Sequence, residues 1–368
     1  MFAVVTGGGT SGHVIPALAV IEALEDSGIA RSEIAYVGAR RGVETTMVPP
    51  TGVTCEFLPV SGLQRSFAPR SLARNIALPF RLVRSVAAAR RLVREWKPSV
   101  VVSVGGYASE PMARAAVAAG VPLVCVSYDR TPGLATRRQS RRAAVCAVAY
   151  PGSDLPRAVV TGAPVRRAVR TMDPASSRTS ARGGMDVGES TCLVTVVGGS
   201  LGSKSLNDAV PAIVAALSDA GVDARVHHVT GPRFAGASGA APTAGVNVNV
   251  VAYENDMPSV LVASDVVVSR AGASTVAEIA TLGVASVLVP WPGASENHQM
   301  LNARWLSDGG AAVVVEEGSD LPTVVAAEVV RLARDPAARQ ALRDTARAMG
   351  GANRSNALAE AITNAASR

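Results

Sequence analysis

Three glycine pairs each follow an aliphatic run: Gly7-Gly8-Gly9-Thr10-Ser11-Gly12, Gly105-Gly106-Tyr107 and Gly198-Gly199-Ser200-Leu201-Gly202. Glycine after a strand lets backbone amides approach an anion, and the helix that follows adds partial positive charge. One such loop reads as an ordinary tight turn. Three, spread over both halves of the chain, point to phosphate or diphosphate ligands. Gly7-x-Gly9-x-x-Gly12 also fits the dinucleotide fingerprint formally. Its confirming acid is missing, because the second strand ends Tyr36-Val37-Gly38-Ala39-Arg40-Arg41, and this disfavours NAD and FAD. No G-x-x-x-x-G-K-[ST] occurs, which disfavours a P-loop nucleotidase.

His13 is one of four histidines, with His227, His228 and His298. It directly follows Gly12, in the first turn of a helix and beside the expected anion cradle, where a base could reach a bound hydroxyl. A lone histidine is more often structural, and His227 and His228 fit that reading. Ser269-Arg270-Ala271-Gly272-Ala273-Ser274-Thr275-Val276-Ala277-Glu278 repeats the strand, turn and helix-start device. Thr275 with Glu278 matches a capping box, while the Glu278 carboxylate also suits two ribose hydroxyls; both readings stand. Glu296-Asn297-His298-Gln299 brings further polar groups to the same end of the sheet. No D-x-D occurs, so a metal site on paired aspartates is not expected.

The elements that position these groups alternate along all 368 residues. Residues 2–6, 34–37, 100–104, 123–126, 193–197, 226–229, 247–251, 266–269 and 286–289 read as strands with little polar alternation, as in a parallel sheet covered on both faces. Residues 16–26, 205–220 and 274–282 read as helices between them. The class is α/β, with enough strands for two sheets. The boundary falls near Gly162-Ala163-Pro164-Val165, residues 173–188 read as a loose surface excursion, and residues 235–245 as a second loop. Cys55, Cys125, Cys146 and Cys192 lack metal-finger spacing and read as buried thiols in a reducing compartment. The opening Met1-Phe2-Ala3-Val4-Val5-Thr6 has no signal-peptide character, and no apolar run is long enough to span a bilayer. The expected location is the cytoplasm.

Taken together, these motifs resemble the MurG family of glycosyltransferases from about Val4 to Ala303. The resemblance rests on Gly8-Gly9-Thr10-Ser11-Gly12-His13-Val14-Ile15-Pro16-Ala17-Leu18-Ala19, Gly105-Gly106-Tyr107-Ala108-Ser109, Gly198-Gly199-Ser200-Leu201-Gly202 with Asn207, Arg270-Ala271-Gly272-Ala273-Ser274-Thr275 with Glu278, and Gln299 with Asn302-Ala303. It implies a GT-B fold, two Rossmann-like domains facing a cleft. The domains would be an acceptor and membrane domain over residues 1–164, a UDP-sugar domain over 165–340, and a helix over 341–368 returning to the first domain. It implies inverting transfer of N-acetylglucosamine from UDP-GlcNAc to undecaprenyl-diphospho-muramoyl-pentapeptide in peptidoglycan synthesis, with no cofactor or metal required. Within it, His13 matches the proposed general base. Thr10, Ser11, Gly12, Arg166, Ser200, Asn207, Glu254 (through backbone), Ala273, Ser274, Thr275, Val276, Ala277, Glu278 and Gln299 match the donor site. Gly9, Gly12, Gly105, Gly106 and Tyr107 match the region of the acceptor diphosphate. One motif departs. Where the family usually carries His-Glu-x-Asn, this chain has Val126-Ser127-Tyr128-Asp129. Two alternatives therefore stay open: a diverged enzyme with another glycolipid or secondary-metabolite acceptor, and a non-catalytic UDP-sugar-binding protein of cell-wall assembly.

The net charge of +7 is local. Between Leu63 and Lys97 stand nine basic residues against Glu95 alone. Leu72, Arg74, Ile76, Phe80, Arg81 and Arg84 interleave apolar and basic side chains, as a surface resting on anionic lipid would. The resemblance places the protein at the cytoplasmic face of the cell membrane as a peripheral protein, with other cell-wall synthesis proteins as further partners. Nucleic acid ranks below lipid, because no nucleic-acid fold signature appears and aromatics are scarce.

Overall fold

The computed structural model describes residues 1–62, 78–236 and 241–367. They form two units, Met1–Arg167 with Ser355–Arg368, and Ala168–Arg354.

The first unit is built on seven parallel strands: β1 Ala3–Thr6, β2 Ile34–Ala39, β3 Thr54–Leu58, β4 Val100–Ser103, β5 Leu123–Ser127, β6 Val145–Val148 and β7 Ala158–Val160. Their order is β3-β2-β1-β4-β5-β6-β7. Every residue of β1, β2, β4 and β5 is buried. That explains their unbroken aliphatic character, since helices cover both faces. The order reverses between β1 and β4, the switch point at which open α/β sheets bind ligands. Thr6 is in register with Ser103 there, so the first two glycine loops leave the sheet side by side.

The second unit repeats the device with β8 Cys192–Val197, β9 Ala224–Val229, β10 Val246–Val251, β11 Val266–Ser269, β12 Ser286–Leu288 and β13 Val313–Val314. Their order is β10-β9-β8-β11-β12-β13, again parallel. Val197 pairs with Ser269, which sets the third glycine loop beside the Arg270-Ala271-Gly272 turn. Both units are Rossmann-like.

Several local expectations needed correction. Strands β3, β6, β7 and β13 are additional to the expected ones; they are short, and β6, though apolar throughout, lies only a few residues from the short helix Leu134–Ser140. The two edge strands β3 and β7 are largely solvated, with all of β7 exposed. Residues 173–188 are not a loose excursion. Pro174–Gly184 is a helix whose N-terminus is capped by Asp173, which accepts from Ala175 and Ser176. Arg178 and Arg182 of that helix bond Asp265 at 2.6 and 2.9 Å. The segment 341–368 is divided. Helix Pro336–Met349 packs on helix Ala273–Leu282 in the second unit, and Arg347 and Arg354 donate to the Thr281 carbonyl. Helix Ala357–Ala366 belongs to the first unit and packs on helix Ser11–Asp26. All four thiols are free, but Cys55, on edge strand β3, is only half-buried. Within the 235–245 loop, residues 237–240 lie outside the described residues. Among the described residues no helix is long and apolar enough to cross a membrane.

Candidate active site

In the first unit the loop after β1 is closed from below by side chains that no motif announced. Tyr36 in β2 donates its hydroxyl to the Gly7 carbonyl at 2.5 Å. Glu44, wholly buried at the start of the short helix Glu44–Met47, accepts the Gly9 amide through both oxygens at 3.1 and 3.0 Å and the Ala39 amide at 2.9 Å. Gly8 and Gly9 have φ of 143° and 94°. A Cβ on Gly8 would collide with Glu44, and one on Gly9 with the Tyr107 ring, so the loop needs glycine at both places.

Helix Ser11–Asp26 starts from this loop. His13 projects from its first turn, with Nδ1 sharing a hydrogen bond with the Thr10 hydroxyl at 3.1 Å. The other face of the ring lies over the second glycine loop. A Cβ on Gly106 would approach the imidazole to 3.3 Å, and one on Gly105 would lie 3.7 Å from Nε2. Tyr128, buried at the end of β5, meets His13 edge-on, with ring centroids 6.4 Å apart at 70°. Its hydroxyl donates to the Gly12 carbonyl at 2.7 Å. Burial lowers the His13 pKa below the ordinary imidazole value, against the opposing pull of Asp129 and then Glu44. The ring is therefore neutral at neutral pH, the state a base needs.

The second loop is also internally braced. Gly105 N–H donates to Ser103 Oγ at 3.3 Å, and Ser103 donates to Gln139 at 2.6 Å. Gln139 in turn donates to Ser109 and Glu110, each at 3.0 Å. Tyr107 is half-buried, and burial followed by the Glu44 charge holds its hydroxyl protonated above the usual range. Arg166 stands apart from these loops. It pairs with Glu22, near the far end of the helix that begins at Ser11, at 2.8 Å. Nine residues of α-helix from His13 to Glu22 span about 14 Å. Phe80 and Val83 are 75% and 69% exposed on helix Leu78–Trp96, with Arg81 reaching Ser61. Leu72, Arg74 and Ile76 lie outside the described residues.

In the second unit Ser200 sits on the exposed third loop, where Gly202 N–H closes a turn onto the Gly199 carbonyl. Asn207, on helix Lys204–Asp219, is held at both ends: Nδ2 donates to Thr230 O and Oδ1 meets His228 Nε2, each at 3.0 Å. His227 lies 3.2 Å from Glu254, whose other oxygen accepts the Asp256 amide at 2.9 Å. Glu254 thus braces its own turn. Helix Ala273–Leu282 begins at N-cap Gly272, with no side-chain cap. Thr275 is therefore not the cap, and the capping-box reading of Glu278 fails. Ala273, Val276 and Ala277 are buried, and the Val276 N–H is spent on the Gly272 carbonyl, while Ser274, Thr275 and Glu278 are half-exposed. Gln299 Oε1 accepts from Trp291 N at 3.0 Å, which leaves its amide hydrogens as donors. Arg270 is fully engaged, with Glu317 at 2.5 Å, Ser205 at 2.7 Å and Val289 O at 3.1 Å. Among the described residues no group of three or more His, Cys, Asp or Glu side chains could hold a metal ion.

Known proteins share this arrangement over nearly its whole length. Residues 3–148 match the glycosyltransferase family 28 N-terminal domain, and residues 193–362 its C-terminal domain. A Xylella fastidiosa (strain M12) protein is 33% identical over 97% of this chain and 94% of its own. A Desulforudis audaxviator protein is 34% identical over 95% and 94%. Both bear the name UDP-N-acetylglucosamine–N-acetylmuramyl-(pentapeptide) pyrophosphoryl-undecaprenol N-acetylglucosamine transferase. The crystal structure of Acinetobacter baumannii MurG superposes with a TM-score of 0.75 at 26% identity, covering 99% of each chain. The chain belongs to the MurG family.

The fold is accordingly GT-B, and the protein is a hexosyltransferase. The glycosyltransferase of kitacinnamycin shares the fold alone, with a TM-score of 0.67 at 20% identity. Against the usual MurG pattern, Val126 and Ser127 close β5 as buried residues, and Tyr128 fills the space beside His13. Sequence reasoning missed Glu44, Tyr36, Gln139 and the tie from Tyr128 to Gly12. Each acts across a distance in sequence, and none belongs to a recurrent motif. The buried glutamate did leave one trace, the small-residue setting of Gly38 and Gly42, where a Cβ would strike Glu44.

Proposed function

We propose that this chain transfers N-acetylglucosamine from UDP-GlcNAc to the 4-hydroxyl of undecaprenyl-diphospho-muramoyl-pentapeptide, at the cytoplasmic face of the membrane. The observation that carries this reading is its near full-length likeness, at 33–34% identity, to enzymes named for that reaction. His13 takes the proton from the acceptor hydroxyl as its oxygen bonds to C1 of the sugar. The bond from C1 to the diphosphate oxygen breaks on the opposite face, so UDP leaves and the anomeric configuration inverts. The neutral, oriented imidazole supports this role. In the donor site Glu278 holds the ribose hydroxyls, Gln299 donates to the sugar, and Ser200 and Asn207 serve the diphosphate, a role that Arg166 could share only by leaving Glu22. Glu254 offers backbone to the uracil. Ser274 and Thr275 contribute hydroxyls at the start of helix Ala273–Leu282, and Ala273 contributes backbone. Thr10, Ser11 and Gly12 border the sugar, and Gly105, Gly106 and Tyr107 face the acceptor.

The replacement of His-Glu-x-Asn by Val126-Ser127-Tyr128-Asp129 favours, as a second reading, a different lipid-linked or small-molecule acceptor for the same donor. One experiment separates the readings. UDP-GlcNAc affinity is measured by calorimetry, then UDP release is followed with a lipid I analogue. Binding with turnover supports the first reading. Binding and turnover only with another acceptor supports the second. Absence of UDP-GlcNAc binding overturns both. His13→Ala should lower turnover by about 10²–10⁴-fold while sparing donor affinity.

A further inference from the structure

At Gly9 the first glycine loop is not the open anion cradle that its sequence resembles. Gly9 N–H is directed into the protein, onto both oxygens of Glu44, and Gly105 N–H onto Ser103. Glu44 is completely buried, and three glycines (Gly8, Gly38 and Gly42) are packed so closely on it that a Cβ at any of them would collide with it. Its carboxylate accepts from two backbone amides, Gly9 and Ala39, and no cation pairs with it among the described residues. A phosphate reaching for the Gly9 amide would have to displace a carboxylate already seated there and would then face like charge.

We propose that Glu44 is the positioning residue of this site: it closes the Gly9 amide to phosphate and shapes the loop into a platform that carries Thr10 and His13, so that any phosphate at this site is held by groups other than the Gly9 N–H. The inference rests on the reading of His13 as the base. The groups facing His13 are Thr10 from its own helix start, the Gly105-Gly106 backbone from the loop after β4, Tyr128 and Asp129 from the loop after β5, and Glu44 from behind the first loop. The two carboxylates favour the protonated imidazole and oppose burial, so Glu44 also tunes the base it positions.

The test uses the full chain, labelled with ¹⁵N. In the wild type, the Gly9 amide should exchange slowly with solvent. Its resonance should stay in place during titration with inorganic pyrophosphate. Movement of the Gly9 resonance with saturable pyrophosphate binding overturns the proposal. In Glu44→Gln, Gly9 exchange should accelerate, the His13 ring should titrate at lower pH, and kcat should fall at least tenfold with KM for UDP-GlcNAc within about twofold. Glu44→Asp, which restores the charge, should return the His13 titration toward wild type. An unchanged His13 titration and kcat in a folded Glu44→Gln variant overturns the proposal. Should that variant fail to fold, the wild-type pyrophosphate titration decides alone. If the wild type transfers no sugar at all, the functional reading fails, while Gly9 exchange and the His13 titration still decide the role of Glu44.

Discussion

The Tyr128 hydroxyl and the Gly12 carbonyl, 116 positions apart in sequence, are joined by a hydrogen bond of 2.7 Å. Gly12 needs this partner because Pro16, four residues on in helix Ser11–Asp26, has no N–H to complete the helical bond. The loop after β5 therefore stabilises the helix turn that carries His13. Tyr128→Phe keeps the ring against His13 and removes only the donor. Its unfolding free energy in urea should drop by about 1 kcal/mol, with kcat falling more than donor affinity. An unchanged midpoint and rate would show that the tie contributes nothing.

The pH dependence of turnover should report on Asp129. Burial lowers the His13 pKa, and Asp129 is the largest opposing influence. Because the base works as neutral imidazole, activity should be lost as pH falls through that pKa, below the ordinary value of about 6.5. In Asp129→Asn the opposing charge is gone, so the acid limb should move to still lower pH. A limb that stays put, or moves up, would exclude Asp129 as the charge felt by His13.

Glu278 should matter for nucleotide rather than for folding, since helix Ala273–Leu282 is capped at Gly272. In Glu278→Ala, UDP-GlcNAc affinity measured by calorimetry should fall roughly 10- to 100-fold, the loss of one charge-assisted interaction of about 1.5–3 kcal/mol. The thermal midpoint should change little. The reverse pattern would return Glu278 to a purely structural role.

Asp265 is the electrostatic anchor of the second unit. It bonds Arg178, Arg182, Arg343 and the Leu193 amide at 2.6–3.2 Å. Burial would raise its pKa, but the Leu193 amide and the arginines together bring it below the usual carboxylate range. The associated stability is present above the unfolded pKa of about 3.9 and is lost as pH falls through the lower folded value. Asp265→Ala leaves Arg182, whose side chain is 7% exposed, without its carboxylate. It should destabilise the protein by about 3–5 kcal/mol, measured by denaturant unfolding at pH 7, with the deficit shrinking in strong acid.

The exposed side chains of Phe80 and Val83 beside Arg81 and Arg84 should drive attachment to anionic lipid. Phe80→Glu with Val83→Glu should weaken cosedimentation with phosphatidylglycerol vesicles at least tenfold and leave donor affinity intact. Equal binding of variant and wild type would remove this helix from the membrane surface.

Much of this molecule is legible in its local chemistry. The valine-rich runs of β1, β4, β8 and β11 announce parallel strands, because residues buried on both faces have no polar alternation. The glycine pairs announce the turns after them, because the positive φ at Gly9, Gly106 and Gly199 is a property of single residues. The helix 174–184 was hidden, because its stability comes from Arg178 and Arg182 reaching Asp265, 87 and 83 positions away. The direction of each loop amide was hidden too. Glycine permits the turn whichever way its N–H points; only the packing of Glu44 against Gly8 and Gly9 turns that donor inward. Local backbone freedom and hydrophobic pattern are encoded residue by residue. The use to which a hydrogen-bond donor is put depends on which distant side chain the fold buries beside it.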